Sequence, residues 1–145
     1  MLNVLLADDE TRTLHHLMTG VPWFQLGMEV CCTASNGSEA LAFIESHPID
    51  ILITDIRMPG MDVMTMLRVL RSEGNPCRAV VLSAYSDFEY AKTAIDLGVE
   101  SYLIRAGQWT QLEDVLRLTQ ARIRQEEEEK SRYTPERAFL SALTG

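Results

Sequence analysis

Cysteine, histidine and positive charge are all scarce in this 145-residue chain, and each shortage removes a class of function. The three cysteines are an adjacent pair, Cys31 and Cys32, and a distant Cys77. They form no C-x-x-C spacing, and any disulfide scheme leaves one unpaired. They therefore read as small core or strand residues, not as a redox or metal centre. His15, His16 and His47 are scattered without ligand spacing, which argues against a histidine metal site or a phosphorelay role. A net charge of −8 works against the phosphate backbone of nucleic acid, so this chain is not expected to bind DNA or RNA directly. No apolar run approaches the roughly 18 residues needed to cross a bilayer. The amino terminus also lacks a basic segment leading into a signal-type apolar core, so a cytoplasmic location away from membranes is expected.

Two enzyme signatures are missing as well. No G-x-G-x-x-G follows the first apolar run, as a dinucleotide-binding oxidoreductase would need, and no Asp-x-Asp pair closes a strand, as a small phosphatase would need. A non-enzymatic role is the expectation. What is present is 46% hydrophobic and 23% charged residues, the mixture of a soluble globular protein. The length suits one α/β domain of roughly 100 to 150 residues plus an extension.

The apolar run over residues 2–7 is too short for a helix and stops at Asp8, Asp9 and Glu10, which predicts a buried strand ending in acids. Leu14, Leu17 and Met18 then lie at helical spacing over 11–18, with Gly20 and Pro22 as the stop. A second strand is predicted over 28–34. After the Asn36-Gly37 turn, Asn36 or Ser38 is the expected N-cap of a helix with Ala40, Leu41 and Ile44 on its inner face, stopping at Pro48. The third strand is predicted over 49–54, ending in Asp55. A loop over 57–61 holds Pro59 and Gly60, and Val63, Met66, Leu67 and Leu70 share the inner face of the next helix. A fourth strand follows over 79–82, a helix over about 87–97 stopped by Gly98, and a fifth strand over 100–104. The last helix starts near Thr110 with Leu112, Val115, Leu116, Thr119 and Ile123 as its inner stripe. Five apolar strands alternating with five helices predict a doubly wound α/β fold, a five-stranded parallel sheet covered on both sides. Ligands of such folds sit outside the carboxyl ends of the strands, at the switch in strand order.

Those ends carry the informative residues. Strand one ends in Asp8 and Asp9, strand three in Asp55, strand four in Ser83 and strand five in Arg105. Each alone has an ordinary explanation: a helix cap, a turn former, a strand-end hydroxyl, a surface cation. Together they bring carboxylates, a hydroxyl and a cation into one crevice. Crowded carboxylates repel one another unless a divalent cation neutralises them, and magnesium is the expected ion. It is a hard cation, content with one or two carboxylates and with phosphate oxygens. Asp55 is then the nucleophile for an aspartyl phosphate, with the hydroxyl and the fixed charge on the phosphoryl oxygens.

The segments Leu5-Leu6-Ala7-Asp8-Asp9-Glu10, Ile53-Thr54-Asp55-Ile56-Arg57-Met58-Pro59-Gly60-Met61-Asp62, Val81-Leu82-Ser83-Ala84-Tyr85 and Ser101-Tyr102-Leu103-Ile104-Arg105 resemble, in order and spacing, the motifs of response-regulator receiver domains. The resemblance covers residues 2–122 and implies a flavodoxin-like fold. It also implies that Asp55 is the phosphorylated residue, that Asp9 and Asp55 ligate Mg2+ directly and Asp8 through water, and that Arg57 offers its backbone carbonyl. By the same resemblance Ser83 is expected to follow the phosphoryl group, with Arg105 also contacting it, and Tyr102 to be the coupled aromatic switch. Residues 23–30 and 86–92 further resemble the subgroup joined to AraC-type helix-turn-helix domains. The implied partners are a sensor histidine kinase, an output domain of that type carrying the DNA binding, and a second copy of the chain in a homodimer.

The sequence departs from the family pattern at three positions. Arg105-Ala106 stands where the family usually has Lys-Pro, and arginine is a longer, planar donor that prefers a two-point contact. A trans peptide before Ala106 is expected, because a cis bond there would cost roughly 2.5 to 4 kcal/mol. Val63 replaces a usual glycine, so the third helix is expected to start early. These changes leave open a degenerate receiver that acts by protein contacts without phosphorylation. Residues 1–122 are the expected receiver domain. Residues 123–145 are an expected helical linker, with an acidic run over 126–129 and a new helix start at Thr134-Pro135-Glu136 before the apolar Phe139 and Leu140.

Overall fold

The computed structural model describes residues 1–83, 88–104 and 110–132. Strands β1 (Leu2–Ala7), β2 (Met28–Ala34), β3 (Ile51–Asp55), β4 (Arg78–Ser83) and β5 (Ser101–Ile104) alternate with helices α1 (Thr11–Gly20), α2 (Gly37–Ser46), α3 (Val63–Ser72), α4 (Phe88–Asp96) and α5 (Thr110–Arg132). All neighbouring strands are parallel, in the order β2-β1-β3-β4-β5. This is the flavodoxin-like arrangement expected. Because successive strand residues point to opposite faces, the apolar runs of β1, β3 and β4 feed two cores. Leu5, Leu52, Ala79 and Val81 pack on one side with Ala40 and Ile44 of α2, Met66, Leu67 and Leu70 of α3 and Ala94 of α4. Val4, Leu6, Ile51, Ile53, Val80 and Leu82 pack on the other with Leu17 of α1, Trp23, Leu26, and Leu112 and Leu116 of α5. No helix among the described residues is long and apolar enough to cross a membrane.

The element boundaries differ from the sequence reading where side chains intervene. β3 starts at Ile51, not Ile49, because Ile49 N–H is turned back to the His47 carbonyl (2.9 Å). Asp50 meanwhile accepts the backbone N–H of Asn3 on its carboxylate (2.7 Å). Of the two candidate caps of α2 it is Asn36 that serves, accepting the Glu39 N–H at 2.8 Å. α3 begins at Val63, with the Asp62 carboxylate accepting the Met64 N–H at 3.2 Å. Val63 is the first helical residue and, like every described non-glycine residue, has no positive φ.

Two polar devices tie the layers together. Arg71, in the last turn of α3, donates from Nε to the Leu97 carbonyl (3.0 Å) and from Nη1 to the Cys77 carbonyl (3.0 Å), with longer contacts to Asn75 and Gly98. One guanidinium thus joins the end of α3, the entry to β4 and the turn after α4. Replacing it with methionine is expected to lower stability by about 2 kcal/mol, since hydrogen bonds from a charged donor are worth about 1.5 to 3 kcal/mol and the carbonyls lose theirs together. Lysine, a one-point donor, should restore only part of that. A urea midpoint unchanged in Arg71→Met would refute the clamp.

At the amino-terminal edge of the sheet, Arg78 of β4 pairs with Glu100 (2.6 Å) and with Glu126 of α5, while Arg122 of α5 reaches the other oxygen of Glu100 (3.1 Å). α5 runs unbroken from Thr110 to Arg132, through position 122, with Leu112, Leu116 and Thr119 buried and Val115 and Ile123 partly so. Residues 133–145, which include Thr134-Pro135-Glu136, Phe139 and Leu140, lie outside the described residues.

Candidate functional site

The strand order reverses at β1, with β2 on one side and β3 on the other, so the crevice at the carboxyl ends of β1 and β3 is where a doubly wound sheet presents a ligand. Asp8 and Asp9 emerge there from β1, and Asp55 is the last residue of β3. One carboxylate oxygen from each lies within 4.8 Å of the others. Their environments differ. Asp8 is only 3% exposed, with its N–H on the Ala34 carbonyl (3.0 Å) and its Oδ1 accepting the Glu10 N–H (2.8 Å). Asp9 is exposed and Asp55 half-buried. Asp55 Oδ1 accepts the Ile56 N–H at 2.7 Å, which aims the carboxylate along the loop that follows.

The remaining predicted residues fall on the strands beyond. Asp55 is in register with Leu82, so Ser83 stands one step past it on the neighbouring strand, 1% exposed. Ser83 is in register with Ile104, and Tyr102 lies two residues back on the same strand. The Tyr102 hydroxyl is buried without a hydrogen-bond partner among the described residues, a costly placement for a phenol. Arg57 lies in the loop after β3 and is exposed. Asp9, Ile56, Arg57, Met58, Pro59, Gly60, Asp62 and Tyr90 line an open cleft beside the carboxylates. Tyr90 of α4 was not singled out by its chemistry in the sequence, since nothing local to it announces that α4 forms the far wall. Arg105 and Ala106, with the peptide between them, lie outside the described residues, as do Ala84, Tyr85, Ser86 and Asp87.

The donors are all hard oxygens, with no histidine or cysteine in the cluster, which suits a magnesium-type ion and not zinc or copper. None of the three thiols belongs to the carboxylate cluster. Cys77 is pushed up to about 12 by burial, and Cys31, exposed on the edge strand β2, is pushed up to about 11 by burial of its thiol and then by Cys32 beside it.

Comparison with known proteins agrees with this fold. The family model described as response regulator receiver domain matches residues 4–117. The chain is 36% identical over 119 residues to the transcriptional regulatory protein HptR of Staphylococcus aureus, covering 80% of this chain and 45% of that one. In three dimensions it is similar to the REC domain of AraT, a response regulator from Geobacillus stearothermophilus, with a TM-score of 0.80, 32% identity and coverage of 87% of this chain and 98% of that one. It is also similar to a chain of the CheX–CheY–BeF3–Mg complex from Borrelia burgdorferi, with a TM-score of 0.70, 26% identity and coverage of 79% and 86%. The chain spans less than half the length of the curated relatives it matches.

Proposed function

Because this chain belongs to the response regulator receiver domains, a family of signalling modules, we propose that Asp55 is its phosphoacceptor and that Asp8, Asp9 and Asp55 serve a magnesium ion. The observation that carries the reading is the convergence of three carboxylates at the switch in strand order. Such crowding is unfavourable unless a cation is shared. Asp9 and Asp55 would hold the ion directly and Asp8 through water, and the Arg57 backbone carbonyl would complete the protein's share. When bound, magnesium neutralises charge between the carboxylates and the incoming phosphoryl oxygens.

The chain's own residues do the rest. A carboxylate oxygen of Asp55 attacks the phosphorus of the donor. A new P–O bond forms to Asp55 as the bond to the leaving group breaks, and that electron pair departs with the leaving group. The Ser83 hydroxyl donates to a phosphoryl oxygen, and Arg105 supplies the positive charge there. Movement of Ser83 toward the phosphoryl group reads out through Tyr102, whose buried hydroxyl gains a partner by leaving its pocket. The natural donor is the phosphohistidine of a sensor histidine kinase. The partner acted on is a carboxyl-terminal output domain of the AraC-type helix-turn-helix class, with a homodimer as the assembled form. The short span against the curated relatives, several of which are transcriptional regulatory proteins, supports an output segment beyond α5. BeF3 and magnesium, named with the Borrelia burgdorferi complex, support the ion and the acceptor. A receiver working by contacts alone is not favoured, since it would keep three crowded carboxylates without using them.

The test is incubation with acetyl phosphate and magnesium followed by intact mass. The expected result is one added phosphoryl group, absent when a chelator replaces magnesium. No added mass at saturating donor and ion would overturn the phosphoacceptor reading.

A further inference from the structure

We infer that Gly37 is a positioning residue for magnesium binding: because it has no side chain, the first turn of α2 can seat the 57–62 loop, and with it the Arg57 carbonyl, beside Asp9 and Asp55. This rests on the phosphoacceptor reading above. Gly37 is buried, and its conformation is not one that requires glycine, since it is absent from the positive-φ glycines 27, 60, 74 and 98. At a helical position alanine is the better former, so backbone freedom does not explain this residue.

Close approach does. A Cβ built on Gly37 would lie 2.3 Å from the Met61 carbonyl oxygen and 3.2 Å from both the carbonyl carbon and the Cβ of Met61. The nearest of these atoms is backbone and cannot rotate away. Restoring ordinary contact requires the chain at Met61 to retreat by about an ångström.

The loop has little room to absorb that retreat. On one side Ile56 N–H is fixed by the Asp55 carboxylate, and β3 behind it is buried. On the other, Asp62 caps α3, whose residues Val63, Met64, Met66 and Leu67 are buried in the core. A shift at Met61 is therefore directed into residues 57–60, where Gly60 already has a φ of +82° and a Cβ built on it would lie 3.9 Å from the Asn36 Cβ. That is the stretch carrying the Arg57 carbonyl. Asp55, rooted in the sheet, should not move.

The experiment is Gly37→Ala in the whole chain, with two readouts. Calorimetric titration of the unphosphorylated protein gives the magnesium dissociation constant, and acetyl phosphate labelling against magnesium concentration gives an apparent constant and a limiting rate. The dissociation constant is expected to rise roughly 10-fold, the scale of losing support behind a metal ligand. The limiting rate at saturating magnesium should stay within about twofold of the parent, because the nucleophile is unmoved and metal affinity alone is altered. Gly74→Ala is the control. It introduces a side chain at φ +69° in open space, so it strains the fold without touching the loop and should leave the magnesium constant unchanged.

A merely structural role would do the reverse, lowering the limiting rate with the folded fraction and leaving the magnesium constant alone. That result, or equal magnesium affinity in Gly37→Ala and parent, overturns the inference. Should Gly37→Ala fail to fold, magnesium titration of the parent followed by amide NMR decides: the Gly37 amide must shift together with those of Arg57 and Met61, and a Gly37 signal that stays still overturns the inference. A parent that binds no magnesium overturns the phosphoacceptor reading itself, which distinguishes the two failures.

Discussion

Asp55→Asn is expected to take up no phosphoryl group from acetyl phosphate under conditions that label the parent chain to completion. A carboxamide has neither the charge nor the nucleophilic oxygen that forms the acyl phosphate. The substitution should also separate two roles of the same residue. Removing one of three like charges packed within 4.8 Å relieves repulsion, so the variant should be more stable than the parent without magnesium. It should then gain less from the ion. Ten times its dissociation constant of magnesium stabilises the parent by about 1.4 kcal/mol through mass action, and a variant that binds weakly forfeits most of this. Thermal melting with and without magnesium, beside intact mass, measures both effects. Labelling that persists in Asp55→Asn would move the nucleophile to Asp8 or Asp9 and sink the assignment.

The second large effect concerns the core between the sheet and helices α1 and α5. Trp23→Ala is expected to cost about 3 to 5 kcal/mol, the range for removing a buried aromatic ring. Trp23 is 9% exposed and packs among Leu17, Leu26, Leu112 and Leu116. Its indole Nε1–H donates to the Leu17 carbonyl at 3.1 Å, and its backbone carbonyl accepts the N–H groups of Leu26 and Met28. One residue thereby fills the core and shapes the connection from α1 into β2. Trp23→Phe keeps most of the volume and loses the indole bond, so about 1 to 2 kcal/mol should be lost. Urea unfolding distinguishes the two. Equal losses would mean that the hydrogen bond, not the ring's volume, dominates. Magnesium binding by the folded fraction should be unchanged in both, because Trp23 lies in the connection into the start of β2, away from the strand ends that carry the carboxylates and outside the lining of the cleft beside them.

Legibility in the sequence follows how local each signal is. β1 could be read because its apolar run stops abruptly at Asp8, and α3 because Val63, Met66, Leu67 and Leu70 repeat at helical spacing and are all buried. The same abruptness exposed Asp8, Asp9 and Asp55 as candidates, and the fold brings those carboxylates together. The start of β3 was misread because Ile49 is as apolar as the strand it precedes, and only the distant Asn3 shows that Asp50 is engaged elsewhere. Gly37 read as half of an Asn-Gly turn. Its contact is with Met61, twenty-four positions on, and no local pattern encodes it. Arg71 and Trp23 were opaque for the same reason, since a guanidinium on carbonyls of a later turn and an indole folded under a preceding helix have no periodicity. Cys31, placed on a strand, proved exposed because β2 is an edge of the sheet, which strand composition alone does not reveal.

The attachment of α5 has a geometrical consequence. Leu112, Leu116 and Thr119 hold the helix against the sheet, and Arg78 and Glu100 grip it again at Glu126 and Arg122. A rod held at two heights can neither roll nor tilt freely, so Lys130 and Arg132 leave the domain at a fixed azimuth about the helix axis. Each residue inserted after Glu126 within a continuous helix would turn whatever follows by about 100° and advance it by about 1.5 Å, while seven would nearly restore the original bearing. The ion pairs at the far edge of the sheet therefore set a rotational phase for the end of α5, and helix length there counts in turns as much as in reach.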